Sequence, residues 1–377
     1  MSTASENNNN NTVLISGAGP VGCLAACFMA QRGYQVEVFE SRSDSRLATS
    51  LVQGRSINMA LSNRAFESLN KISPTLVEDI HGHGLKMYGR HVHLKDGSQS
   101  FQPYGKEDQY ILSVGRRFLN ELLLTHAESL PNVRVHFDQK SLDVDLSAPS
   151  LTTAVAPHNK ERSENSGELP ATTTATHRGK FIVGADGLHS AVRQKMQGFG
   201  GARMDYHQHF VSHSYKELVL PASATGDFVV RSDALHIWPR HDFMLIALPN
   251  PTKDFTVTLF LREKTDLSRS PYSFEALDSD EKILDFFRKE FPDFLDLCPN
   301  VLETWHENPK CPLMWLKCNP HHYKDKAVLL GDAAHAIIPF YGQGVNCGFE
   351  DCKVLNQMFD VYGDSQLSQV FEQYSKV

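Results

Sequence analysis

Residues 331–351 read GDAAHAIIPFYGQGVNCGFED, directly after the apolar run AVLL at 327–330, which is suited to a buried strand. Gly331-Asp332 ends that run with a residue able to turn tightly and a carboxylate placed to accept hydrogen bonds from sugar-like hydroxyls. Beyond Pro339, the glycines at 342, 344 and 348 let the backbone approach a ligand, and the pattern from Val345 to Met358 predicts a helix. A helix start offers free N–H groups and a partial positive charge, which suits an anion. Glycines alone also lead loops into core helices. The linked order of strand, Gly-Asp, Pro and glycine-rich helix start favours a ligand with hydroxyls at one end and negative charge at the other.

Similar chemistry stands at the N-terminal end. Thr12 to Ser16 reads as a strand, Gly22 to Gly33 as a helix and Tyr34 to Glu40 as a second strand, a β-α-β unit sized for a nucleotide-binding half. GAGPVG at 17–22 is a GxGxxG motif between the first strand and the helix. Gly17 permits the turn, Gly19 admits a pyrophosphate to the backbone, and Gly22 lets the helix pack on the strand. Glu40 ends the second strand, where an acid bonds a ribose 2′-hydroxyl, so the pattern favours FAD or NAD over the 2′-phosphorylated NADP. FIVGADGLHS at 181–190 is a further apolar strand broken by an acidic turn, Asp186-Gly187. A lone Asp-Gly is an ordinary turn. In this company we expect Asp186 near the cofactor.

Between these blocks the pattern changes. Arg116 to Ser129 is predicted helical, with Leu119, Leu122, Leu123 and Leu124 on its apolar side, and Val133 to Phe137 follows as a strand. Residues 145–179 are rich in Ser, Thr, Pro and charge and are expected to be a partly disordered surface insertion. Within 201–262, Tyr215 to Leu220, Asp227 to Arg231, Leu235 to Pro239, Phe243 to Leu248 and Phe255 to Leu261 read as short strands, hence an antiparallel sheet. Asp278 to Glu290 is an amphipathic helix. The expected organisation is α/β. A polar tail (1–11) precedes a Rossmann-like, discontinuous cofactor domain (12–80, 108–200 and 325–377), and the antiparallel substrate domain takes 81–107 and 201–324.

Composition sets the remaining bounds. A chain of 377 residues is long enough for two ordinary domains, and a net charge of −7 with scattered Lys and Arg argues against nucleic acid as a partner. Seven cysteines with no CxxC pair read as reduced thiols, and no apolar stretch is long enough to span a bilayer. HGHG at 81–84 and His321-His322 lack a third ligand at metal spacing, so no metal is expected. His335 is expected to be a packing residue. Arg90 and Tyr104 flank HVHLKDGSQSF, whose Asp96-Gly97 suits a hairpin turn. On their own they read as an exposed Arg and a core Tyr, although a hairpin could aim both at one carboxylate.

GAGPVG, GADG and GDAAHAIIPFYGQGVNCGFED, in that order across nearly the whole chain, resemble the FAD-dependent aromatic hydroxylases, single-component flavoprotein monooxygenases. RSINMALSNR (55–64), ILSVGRRFLN (111–120), LHIWPRHDFMLIALPN (235–250) and the PFYGQGVNCGFED run are similar to the kynurenine-hydroxylating branch of that family. The resemblance implies bound FAD, with Glu40 on the adenosine ribose, Ala60 and Arg116 beside the cofactor, and Asp332 on the ribityl chain. Gly344, Val345 and Asn346 would present backbone N–H groups to the flavin ring. It further implies that Arg90 and Tyr104 hold the carboxylate of L-kynurenine. Leu235, Met244, Ile246, Leu248 and Phe260 would form an apolar wall, with Pro339, Phe340 and Gln343 near the flavin face.

In that family NADPH, bound transiently, passes a hydride to FAD, and O₂ then gives a flavin C4a-hydroperoxide that hydroxylates the ring. No side chain is the oxidant. The absence of a second GxGxxG agrees with transient NADPH binding. The same resemblance implies a role in tryptophan degradation toward NAD, with a pocket-lining helical region and an apolar anchor to the mitochondrial outer membrane beyond Val377. Two alternatives from the sequence are a related hydroxylase of another aromatic acid or phenol, and a flavin-binding module without turnover.

Overall fold

In the first β-α-β unit, strand β1 (Thr12–Ser16) is fully buried and pairs in parallel with β2 (Gln35–Phe39) on one side and with the strand Phe181–Gly184 on the other. The chain leaves β1 through Gly17, whose φ of +99° is open to glycine and whose N–H donates to Phe39 O at 2.8 Å. A Cβ on Gly17 would stand 2.5 Å from Ala185 O, and one on Gly22 would fall inside contact distance of Gly17 O. Both glycines are therefore fixed by the packing of helix α1 (Pro20–Gln31) on β1 and on the GADG turn. Pro20 occupies the first turn of α1, so the helix begins two residues before the expected Gly22.

The computed structural model describes residues 11–47, 58–155 and 173–377. The polar tail through residue 10, the first residues of the 55–64 block and segment 156–172 of the expected insertion lie outside them. Among the described residues, the nucleotide half is a six-stranded sheet in the order His322–Tyr323, Ala327–Leu329, Phe181–Gly184, β1, β2, Val133–His136, parallel except at the His322–Tyr323 edge. Strand ends carrying Gly17, Gly184 and Gly331 therefore converge at one edge, where doubly wound sheets bind ligands. Of the expected insertion, Ser150–Val155 and Thr174–Arg178 pair as antiparallel strands, joined by Gln139–Asp145. Helix Arg116–Ser129 forms as predicted, and its Leu119, Leu123 and Leu124 enter the core around α1.

The second sheet has seven strands among the described residues: Lys310–Asn319, Asp205–Leu220, Phe255–Arg262, Met244–Pro249, Ala234–Pro239, Gly89–His93 and Gln99–Pro103. It departs from the expected antiparallel sheet at one pair, since Gly89–His93 runs parallel to Ala234–Pro239. The reason lies in chain order: the 89–103 hairpin is inserted in the nucleotide half and reaches the sheet edge from another direction. The hairpin itself forms, with Arg90 opposite Gln102 and Gly97 at φ +84° in its turn. Asp227 to Arg231 is not a strand. Phe228, Val229 and Val230 instead pack as a loop against the aromatic core, and Gly226 at φ +78° turns the chain before it.

Helices Asp280–Glu290, Pro292–Leu297 and Val301–Glu307 cover one face of this sheet with a layer that includes Phe286, Phe287, Phe291, Phe294 and Trp238. The other face is left for the site. All seven cysteines are free thiols, and burial pushes Cys27 and Cys298 up to about 12. No helix among the described residues is long and apolar enough to cross a membrane.

Candidate functional site

Strand alternation sends one set of side chains from the seven-stranded sheet into a cavity of about 1240 Å³. Register carries the set across four strands: Phe260 lies opposite Met244, Ile246 opposite Ile237, and Leu235 opposite Arg90. With Leu248, these residues give a continuous apolar wall that ends in one guanidinium. Opposite the wall stand Ala60 on the short strand Met59–Leu61 and the segment that carries Pro339, Phe340 and Gln343. Phe340 meets Phe260 edge to face, 4.9 Å between centroids. The remaining boundary belongs to the nucleotide half: Gly19 and Pro20 at the start of α1, Arg116 at the start of its helix, Asp332, and Gly344 and Val345 at the start of helix Gly344–Tyr362. The volume exceeds the roughly 300–1,000 Å³ usual for one small ligand, which leaves room for a cofactor and a substrate together.

Among the polar groups of the lining, two stand together at the end of the apolar wall. Arg90 sits over the Tyr104 ring, 5.5 Å from guanidinium carbon to centroid, and both line the cavity. The Tyr104 hydroxyl is buried without a hydrogen-bond partner of normal geometry. Burial raises its pKa, and the nearby Arg90 charge opposes that rise. An orphaned hydroxyl beside a guanidinium is the donor set for a carboxylate brought from outside. At the nucleotide end, Asp332 lines the cavity with its side chain open to that space. Enclosure raises its carboxyl pKa while Arg116 pulls it back.

A Cβ on Gly19 would meet nothing within 4 Å, in contrast to Gly17 and Gly22. The fold does not need this glycine, but a pyrophosphate approaching the α1 start does. Gly19, a hydroxyl-accepting Asp332, the Arg116 cation and the free N–H groups at Gly344 and Val345 together fit a dinucleotide with a sugar-like chain.

Five expected cofactor residues lie outside the cavity lining. Gly17 and Gly22 shape the turn. Glu40 is buried, and its carboxylate accepts from the Ala18 N–H at 2.9 Å and from the Arg42 backbone N–H and Nε at 3.0 and 2.8 Å. Burial alone would raise its pKa, but Arg42 holds it below the usual value. Asp186 accepts from the Ala191 N–H at 2.8 Å and from Ser16 Oγ at 3.2 Å, so it fixes the start of the next helix to β1. Asn346 is fully buried. Its Oδ1 accepts from the Ser62 N–H at 2.8 Å and its Nδ2 donates to Ala60 O at 2.8 Å and Gly342 O at 3.2 Å. Its side chain thus pins the helix start to the strand that carries Ala60.

Sequence reading overlooked several lining residues. Ile237 follows Leu235 at the strand period and was legible; Asn58, Ile111, His213, Arg240 and His241 reach the cavity only through tertiary packing. His335, expected to pack, pairs with Asp351 at 2.8 Å, and Asp351 also accepts the Gly331 N–H at 2.7 Å. Of the histidines weighed for metal, His81 stacks on Phe66 and His321 lies against His335, whereas a different trio, His91, His93 and His236, does gather.

Comparison with known proteins gives the family. Residues 10–376 match the family model described as FAD binding domain. The chain is 39% identical to the kynurenine 3-monooxygenase of Anopheles gambiae, over 97% of this chain and 70% of that protein. It is 40% identical to that of Caenorhabditis elegans (94% and 75%) and 39% to that of Sus scrofa (97% and 72%). Among solved structures, 2-methyl-3-hydroxypyridine-5-carboxylic acid oxygenase superposes with a TM-score of 0.72 at 18% identity, covering 97% of this chain and 86% of that one. Pseudomonas aeruginosa PqsL in complex with 2-aminobenzoylacetate does so at 0.72 and 17%, covering 98% and 91%. These two likenesses concern the fold, which is that of the FAD-binding aromatic hydroxylases. The chain belongs to the kynurenine 3-monooxygenase family and is a flavoprotein monooxygenase.

Proposed function

We propose that this protein hydroxylates L-kynurenine to 3-hydroxykynurenine, consuming NADPH and O₂. One oxygen atom is inserted into the ring C–H bond ortho to the amine to give the hydroxyl, and the other leaves as water as NADPH and one proton are consumed and NADP⁺ is released. The observation that carries the reading is the cavity whose apolar wall ends in Arg90 and Tyr104 and whose opposite rim carries Gly19, Arg116, Asp332 and the helix start at Gly344 and Val345. Bound FAD supplies the redox chemistry, taking electrons from NADPH and activating O₂.

The chain's own residues bind and position. Arg90 offers a planar fork to the amino-acid carboxylate, and the unpartnered Tyr104 hydroxyl donates alongside it. Leu235, Met244, Ile246, Leu248 and Phe260 hold the aromatic ring and keep water away from it. Gly19 and the α1 start receive the pyrophosphate, Asp332 the ribityl hydroxyls, and Arg116 stands near as a cation. The N–H groups at Gly344 and Val345 offset negative charge on the flavin ring. Asn346 supports this end by fixing the helix. Glu40 takes the adenosine ribose once a hydroxyl displaces the guanidinium of Arg42, whose side chain is 65% exposed. On the same reading the enzyme works at the mitochondrial outer membrane.

The test follows NADPH oxidation by FAD-loaded protein with and without L-kynurenine. Stimulated oxidation and a product heavier by one oxygen support the proposal. Stimulation by other aromatics but not kynurenine would overturn the substrate, and bound flavin with no oxidation would favour a module without turnover.

A further inference from the structure

Arg90 and Leu235 face the cavity, so the neighbours that alternate with them face the opposite side of the sheet. There His91 and His236 stand side by side on the parallel strands, and His93 is two residues along. His93 is 2% exposed and His236 not at all, and the trio sits among Trp238, Phe255 and Phe294.

The hydrogen bonds fix which ring nitrogens carry protons. Asp293 accepts from Trp238 Nε1 at 2.8 Å, as a carboxylate does. An ionised carboxylate can only accept, so His93 Nδ1, 3.2 Å from Asp293, is the N–H. Arg231 O can only accept, so His236 Nε2, 2.7 Å away, is the other N–H. In the neutral rings this leaves lone pairs on His93 Nε2 and His236 Nδ1, and these two atoms face each other at 2.9 Å. Two lone pairs at that distance repel unless a cation lies between them. The third ring, His91, has a buried Nδ1 without any partner, and one ligand atom from each of the three lies within 4.8 Å of the others.

A proton could bridge the pair, but it would create an imidazolium inside a buried aromatic layer. Of the nearby charges, the Asp293 carboxylate 3.2 Å from His93 favours such a proton and the Arg231 and Arg240 guanidiniums oppose it, but a proton alone leaves the third imidazole, His91, without a role. We propose that His91, His93 and His236 form a binding site for a divalent transition metal of the zinc class on the face of the sheet opposite the cavity.

Three imidazoles are a ligand set for such ions, and zinc–nitrogen bonds of about 2.0–2.1 Å at tetrahedral angles need nitrogens about 3.3 Å apart, a small opening of the observed pair. Two outer partners of the kind that fix ligating histidines are in place, Asp293 behind His93 and Arg231 O behind His236. The ion ties the Arg90 strand to its parallel neighbour and, through Asp293, to helix Pro292–Leu297. Strand pairing unites residues 143 positions apart, so the trio has no compact spacing in the sequence.

The FAD-loaded protein, stripped of metal by a chelator, is titrated with Co²⁺ and read by its visible absorption and by native mass spectrometry. The expected result is one Co²⁺ per chain with the absorption of a tetrahedral nitrogen site, displaced by equimolar Zn²⁺. His91→Gln and Asp293→Asn should each weaken uptake by roughly 10- to 100-fold, with flavin content and far-ultraviolet dichroism retained as checks on folding. His91 supports no other hydrogen bond, so its variant should fold even if substitution of His236 does not. No Co²⁺ uptake by the unaltered protein would overturn the site, assigning a shared proton to the His93–His236 pair. Uptake unchanged in His91→Gln would also overturn it, by moving the metal elsewhere.

Discussion

Single residues divide the cavity's chemistry sharply. Arg90 forms no ion pair among the described residues, so its charge is available to a ligand. Arg90→Ala should weaken kynurenine binding by about 1.5–3 kcal/mol, roughly ten- to a hundred-fold, with flavin content unchanged. Titration of the flavin spectrum with kynurenine measures this, and a matching loss of flavin would make Arg90 structural instead. Arg90→Lys should recover only part of the affinity, because a point charge lacks the bidentate fork.

His335 gives a pH signature. Burial works against its charge, but Asp351 more than compensates, so its pKa in the folded protein is raised. A raised pKa contributes stability fully below the unfolded value of about 6.5, and the contribution is lost as pH climbs through the folded value. The stability gap between the unaltered protein and His335→Gln should therefore be widest below pH 6.5 and narrow above it, as urea denaturation across that range will read. A gap that widens with rising pH would show that His335 is held neutral.

At the scale of elements, the helix starts were legible and their fastenings were not. The glycine and proline pattern at 339–348 announced a helix beginning near the ligand, and helix Gly344–Tyr362 begins there. That Asn346 turns its side chain inward to Ser62 and Ala60, 284 and 286 residues away in sequence, depends on contacts that no local pattern encodes. Asn346→Ala leaves the Ser62 N–H and Ala60 O without these partners, at a cost of about 1–3 kcal/mol for each group left unsatisfied. It should lower both stability and flavin affinity, whereas Val345→Ala, which trims a partly buried side chain and breaks no side-chain hydrogen bond, should cost less stability. Equal effects in thermal melts would deny Asn346 its anchoring role. Glu40 offers a similar lesson: its place at the end of β2 follows from periodicity, but its cover by Arg42 is visible only in three dimensions. The run at 227–231 misled because apolar residues packing a loop against an aromatic core look like a short buried strand.

Across the whole molecule, two architectures meet at one cavity, and each announced itself differently. The nucleotide half was readable because tight turns, close backbone approach and helix starts demand particular residues at fixed spacing, as Gly17 and Gly22 do. The second sheet was readable as strands but not as a surface. Which strand faces lie together depends on register, so His213 joined the cavity unannounced, as His91, His93 and His236 joined one another behind the wall. The central claim is that flavin chemistry and kynurenine binding share this one cavity. Its most direct test is turnover of FAD-loaded protein with NADPH and L-kynurenine under ¹⁸O₂, with the product resolved by mass. The account predicts 3-hydroxykynurenine carrying one heavy oxygen atom in the ring hydroxyl, and far less of it from Arg90→Ala at low substrate concentration. Unlabelled product, or NADPH consumed with kynurenine recovered unchanged, would contradict it.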